Sequence, residues 1–168
     1  ARLTGEVEKN TSYDETLYGL GATYRVNANV LLLAGVHDGF SATGVSNNRG
    51  ETSQNYEAGL RYQNASTSFE AIAFLTDFDN LIATCTASSG CQTEGDTFEG
   101  GSVEVSGLEL AAERVVDFAG RDVAMFLTYT LTETEFGSSF EANGYDLWGE
   151  VTQGDELPYV SRHQIGLG

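Results

Sequence analysis

The chain has 168 residues, enough for one domain with a real core, and sets 25 acids against 8 bases for a net charge of −17, with Lys9 its only lysine. Such a polyanion excludes nucleic acid as a partner, because binding there rests on cations that neutralise phosphates, and it disfavours simple adsorption to anionic headgroups. Apolar runs such as 30–34 reach only five residues, far short of the roughly 18 that a transmembrane helix needs, so strands are the means left for crossing a bilayer.

No basic and apolar leader follows Ala1, so the chain is expected to start after processing or, the reading favoured here, in the middle of a longer protein. Residues 2–8 alternate Leu3, Gly5 and Val7 with Thr4, Glu6 and Glu8 and predict a short strand, followed by a polar loop at 9–15. Residues 17–26 set Tyr18, Leu20, Ala22, Tyr24 and Val26 on one face and Leu17, Gly19, Gly21, Thr23 and Arg25 on the other. A three-residue link, 27–29, turns the chain into a strand at 30–38 whose two faces are both apolar, leaving its outward side open. A Gly-, Ser-, Thr- and Asn-rich connection spans 39–54.

The stretch 55–82 is the clearest hairpin. Tyr56, Ala58, Leu60 and Tyr62 alternate with Glu57, Gly59, Arg61 and Gln63, then a link at 64–66 leads into a second arm at 67–78 rich in aromatic and β-branched residues. Arms of roughly ten residues exceed the usual soluble strand and suit a tilted bilayer crossing. A polar loop at 80–101 follows. In 102–115 the apolar parity switches between Val105 and Leu108, which predicts a β-bulge at Ser106-Gly107. After a link around 117–120, Val123, Met125, Leu127, Tyr129 and Leu131 alternate with Asp122, Ala124, Phe126, Thr128, Thr130 and Thr132 over 122–133. A loop at 134–158 then leads to a last strand at 162–168.

The connections therefore run short, long, short, long, short, long, the pattern of an outer-membrane barrel with tight turns on one side and long loops on the other. The expected fold is all-β, an antiparallel meander of about eight strands. A soluble sandwich would hide its bulky face and expose one more charged than Gly19, Gly21, Thr128 and Thr130 supply.

Few residues carry chemistry. His37 and His163 lie at strand ends without a neighbouring ligand or nucleophile at a recognisable spacing, so no catalytic or metal site is expected. Asp77-Phe78-Asp79-Asn80 offers oxygens but lacks the glycine and distal glutamate of a calcium loop. Asn10-Thr11-Ser12 and Asn64-Ala65-Ser66 match the glycosylation acceptor pattern, the second inside a tight turn. Cys85 and Cys91 close a short loop if the compartment is oxidising, and are free thiols otherwise. The aromatics from Phe136 through Phe140 and Tyr145 to Trp148 fit a ligand platform, an interfacial girdle or packing between loops. Arg49, a base well inside a long loop, is the candidate for gripping an anionic ligand, against the alternative of a solvated side chain.

Several motifs resemble one family. His37-Asp38-Gly39-Phe40 resembles a strand ending in a Gly-Phe pair, and Glu51-Thr52-Ser53-Gln54-Asn55-Tyr56-Glu57-Ala58-Gly59 a family-specific run. An aromatic, Asp- and Asn-rich strand end matches residues 73–82, and a Gly-x-Glu-Leu strand matches Gly107-Leu108-Glu109-Leu110. Leu157-Pro158-Tyr159-Val160-Ser161-Arg162-His163 is similar to the family's entry to its next strand, with Ser161 where proline is usual. The chain thus looks like the middle-to-late barrel of a TonB-dependent outer-membrane receptor, nearest to the iron(III)-dicitrate type.

The resemblance implies that residues 1–168 are part of a 22-stranded transmembrane β-barrel in the outer membrane of a Gram-negative bacterium. It implies uptake of a ferric chelate without enzymatic activity or cofactor, with outer-membrane lipid as surroundings. TonB would act only through an N-terminal plug, which this chain lacks along with the closing strands. Arg49, Tyr145 and Trp148 are then the candidate ligand contacts, and a Cys85–Cys91 disulfide would pin a loop tip over the ligand entrance. The alternatives are a complete eight-stranded outer-membrane barrel and a secreted β-sandwich adhesin or carbohydrate-binding module.

Overall fold

Alternation of apolar and polar residues gives an extended chain two unlike faces, and the stretches of that kind pair here in sequence order into one antiparallel sheet. The computed structural model describes residues 14–42, 50–84, 97–99, 101–141 and 150–168. Its strands are β1 (Gly19–Arg25), β2 (Val30–Ser41), β3 (Glu51–Gln63), β4 (Thr67–Asp79), β5 (Ile82–Thr84), β6 (Thr97–Glu99), β7 (Val103–Phe118), β8 (Arg121–Phe136), β9 (Phe140–Glu141), β10 (Glu150–Val151) and β11 (His163–Leu167). Seven form the main sheet in the order β1-β2-β3-β4-β7-β8-β11. Every neighbouring pair is antiparallel. The pairs β5-β6 and β9-β10 lie within two of the long connections. Among the described residues there is no helix. The meander is the one the sequence predicts; the strand expected at 2–8 lies outside the described residues.

Two of the short links share one device. Asn27 Oδ1 accepts from the amides of Asn29 at 2.8 Å and Val30 at 3.0 Å, and Asn64 Oδ1 from those of Ser66 at 3.0 Å and Thr67 at 2.8 Å. These are Asx turns, in which a side chain supplies the acceptor that a tight turn lacks. Asn64 Nδ2 also donates to the Tyr62 hydroxyl at 2.7 Å. Turn geometry therefore accounts for the acceptor pattern at 64–66. β7 and β8 join more tightly than 117–120 suggested: Phe118 already pairs with Arg121, and Ala119 and Gly120 take φ of 55° and 75°. Positive φ at both central residues matches the right-handed twist of the flanking strands.

The register sorts the side chains into rows that cross the sheet. Leu32, Leu60, Ala71, Leu110, Tyr129 and Ile165 form one row, and Val30, Tyr62, Phe69, Ala112, Leu127 and Leu167 the next on the same face. This resolves β2, whose Val30, Leu32, Ala34 and Val36 share the apolar face while Leu31 and Leu33 turn the other way. The opposite face carries Glu57, Asn55, Thr76, Thr128, Thr130 and Thr132. The apolar face is bare: Leu20 and Leu167 are each 75% exposed and Ile165 69%. Among the described residues only Val103, Phe136 and Val151 are buried apolar side chains. A sandwich would cover the aliphatic face with a second sheet. No such sheet is present among the described residues.

Aromatic side chains bound this apolar belt, and the boundary runs obliquely to the rows. On the loop side Tyr18 lies opposite Asp38, whose row leads through Gln54, Asp77 and Glu104 to Glu135. Tyr129 sits six residues below Glu135 on β8, five strands across from β1. About 20 Å along the strands against about 24 Å across the sheet gives a tilt of about 40°, that of strands in a membrane barrel. Tyr24, Tyr62, Phe69 and Phe118 descend in the same sense on the turn side.

Two expectations are corrected. The strands reach further toward the long loops than composition suggested, with β2 running to Ser41, β3 starting at Glu51 and β8 ending at Phe136. Polar side chains do not break a ladder that water can surround. The β-bulge at Ser106-Gly107 is absent: β7 pairs one to one with both neighbours, Ser106 with Leu75 and Glu133, Gly107 with Phe74 and Thr132. The parity switch has another cause, because Val103 and Val105 face a small core on the side away from the belt.

An arginine in the middle of a lipid-facing belt costs about 2–4 kcal/mol, and much less on a wet face. Leu127→Arg in the intact protein should therefore lose that much stability in bilayers while Thr128→Arg loses little; equal losses in equilibrium unfolding would reverse the faces. Gly107 has no room for a side chain, since a Cβ would press on the Leu131 carbonyl oxygen and the Phe74 ring. Gly107→Ala should cost about 1–3 kcal/mol in the same assay, and trimming Phe74 as well should restore only part, because the carbonyl stays.

Candidate functional site

On the face away from the belt, the loop-side ends of the strands hold the buried core. Phe78, Val103 and Phe136 occupy one row of β4, β7 and β8. Val151 joins Val103 and Phe136 as a buried residue, with Leu81, Val105, Phe140 and Leu157 packed around them. The Phe136 and Phe140 rings meet edge to face, centroids 5.6 Å apart. Backbone bonds fasten the connection that follows β8: the Phe136 amide donates to the Asp155 carbonyl and the Gly154 amide to that of Phe136, both at 2.9 Å. The Leu157 amide donates to Thr134 Oγ1 at 2.9 Å. Residues 150–157 of this connection thus pack against the loop-side end of the polar face, held by apolar contacts and hydrogen bonds together. Of the three readings for the aromatics, Phe136 and Phe140 take loop packing.

Below that core the same face is polar. His37, Asn55 and Thr76 share a row, where Asn55 Nδ2 donates to the His37 carbonyl at 3.2 Å and Thr76 Oγ1 to Asn55 Oδ1 at 2.9 Å. The motif run 51–59 therefore lies within β3, and its Asn55 ties three strands together. Nearer the turns Arg61 and Glu70 form an ion pair, half exposed and so worth at most about 1 kcal/mol. Such a wall of amides, hydroxyls and paired charges can hydrogen-bond a polar solute or a packed polar domain. His163 does something else: its Nδ1 lies 2.9 Å from the Tyr129 hydroxyl, at the loop-side edge of the belt. Arg162 pairs with Glu133 beside it.

Asp77 and Asp79 alternate with the core residue Phe78, so both project from the belt face, and Asn80 Nδ2 donates to the Gly50 carbonyl at 3.2 Å. Asp77, Glu104 and Glu135 stand directly opposite one another on three strands, where like charges repel. They do not converge: among the described residues no group of three His, Cys, Asp or Glu side chains is placed to hold a metal ion. Arg49, Tyr145 and Trp148, and with them Cys85 and Cys91, lie outside the described residues. The loop core escaped the sequence reading, although aromatic or branched residues on the wrong parity at three neighbouring strand ends, Phe78, Val103 and Phe136, were its visible signal.

Neither a curated protein nor a solved structure matches the chain. A family model does, the one described as "TonB dependent receptor-like, beta-barrel", over residues 2–168. With a single meander whose bare aliphatic belt is tilted as in a membrane barrel, and with that match across nearly its whole length, the chain belongs to the TonB-dependent receptor-like β-barrel family, outer-membrane transport proteins of Gram-negative bacteria.

Proposed function

We propose that the chain forms part of the barrel of an outer-membrane receptor that imports a ferric chelate, driven by TonB through a plug carried elsewhere in the same polypeptide. The observation that carries the transport reading is the division of the sheet into a bare apolar belt and a polar face, with Val151 and Leu157 of the connection after β8 packed on the loop-side end of the latter. Lipid takes the first and a solute route the second. The ferric-chelate class rests on the motifs at 37–40, 51–59, 73–82 and 157–163, and residues 1–168 are taken as a segment of a larger barrel. The long loops would capture the ligand, with Arg49, Tyr145 and Trp148 as candidate contacts and a Cys85–Cys91 bridge holding one tip. Charge narrows the class further. With a net −17 on the chain, a neutral or cationic chelate is favoured over a polyanionic one.

In a Gram-negative host stripped of its own ferric-chelate receptors, the full-length receptor should take up radioactive iron as a hydroxamate chelate faster than as ferric citrate, and a protonophore should stop it. Uptake of a non-iron ligand with no ferric chelate accepted would sink the ligand class. The alternation of connections supports a periplasmic position for 27–29, 64–66 and 119–120. An epitope after Ser88 should then label on intact cells and one after Ala65 should not; the reverse result inverts the barrel.

A further inference from the structure

The charges on the belt face are segregated by height. At the loop side this face carries Asp38, Asp77, Glu104, Glu133 and Glu135, with Arg162 already paired to Glu133. At the turn side the β7-β8 hairpin presents Arg114, Val116, Phe118, Arg121, Val123 and Met125 to the same face. Its acids, Glu113, Asp117 and Asp122, all project from the other side. Arg114 is exposed and, among the described residues, has no carboxylate partner. Phe118 beside Arg121 is 73% exposed.

Beside the turn-side end of the belt is a groove of about 610 Å³ lined by Ala112, Arg114, Met125, Leu127 and Leu167, with Glu113 and Phe126 of the opposite face also among its lining residues. We propose that this groove seats an acyl chain of an anionic phospholipid of the periplasmic leaflet, whose phosphate is held by Arg114 and drawn by the field of Arg121. Apolar walls under a guanidinium match a hydrocarbon chain under a phosphodiester, and a guanidinium meets phosphate oxygens with two parallel donors. A bare anion would leave the groove unfilled. A zwitterionic headgroup gains less from two unpaired cations, and the acidic loop-side end of the same face repels anionic lipid, so the preference belongs to one leaflet. The inference rests on the barrel reading above, with the short turns in the periplasm.

The test is native mass spectrometry of the full-length receptor taken from micelles containing equal phosphatidylglycerol and phosphatidylcholine. Phosphatidylglycerol should be retained about fivefold over phosphatidylcholine, the effect of one basic residue at an anionic surface. Arg114→Gln should bring the ratio close to one, Arg114→Lys should keep most of it, and Arg162→Gln at the loop side should leave it unchanged, each variant first shown folded by heat-dependent gel mobility. An unchanged ratio in Arg114→Gln, an equal loss in Arg162→Gln, or displacement of the lipid by inorganic phosphate overturns the site. A receptor that enters vesicles but shows no headgroup preference overturns this inference alone, whereas one that fails to enter vesicles overturns the barrel reading with it.

Discussion

The ladder between β4 and β7 runs from Thr67–Arg114 to Phe78–Val103 without an inserted residue, although a connection of more than twenty residues separates the two strands in sequence. That continuity keeps all strands in phase. With a side-chain period of two, one slipped residue there would send Leu108, Leu110 and Leu131 to the polar face and Glu109 and the threonines of β8 into the belt. The register is specified from both sides, because the belt rewards one phase and the crowded glycines reward the same one. Gly59 and Gly107 lie where a Cβ would strike the carbonyl of a neighbouring strand, so their partners Ile72 and Phe74 can lean across the backbone.

The same ladder explains how a chain with so small a buried core is ordered. In water a sheet of this kind would collapse or aggregate on its aliphatic face; in hydrocarbon that face is solvated, and the backbone groups are satisfied strand to strand. Side-chain packing is then needed mainly where the strands leave the bilayer. There the chain builds Val103, Phe136 and Val151 into a core, and the connection after β8 is moored to it.

Much of this was legible in the sequence. The faces of β1, β3 and β8 follow from alternation alone, and the two Asn-Ala links announce their turns. Strand ends were harder, because Asp38, Gln54, Asp77, Glu104 and Glu135 have loop-like composition yet continue the ladder, which depends on backbone amides rather than side chains. β7 misled for a related reason. Val103 and Val105 are apolar on the inner face because a distant loop covers them, and no local pattern distinguishes that from a bulge. The candidate ligand contacts were the least legible: Arg49, Tyr145 and Trp148 stand out only by residue type in long loops, where neither periodicity nor pairing constrains position.

The oblique belt also sets a thickness. On β8 it extends from Val123 to Tyr129, about 20 Å along the strand, which at a tilt of about 40° stands only about 16 Å high. That is well below the roughly 30 Å hydrocarbon core of an average bilayer, and the bacterial outer membrane is thinner than average. Each ångström of mismatch costs only a fraction of a kcal/mol, but the cost recurs around the circumference of a barrel. A protein so proportioned is at ease in a thin membrane and must pinch a thicker one, so its dimensions themselves favour its being sorted to, and kept in, the outer membrane.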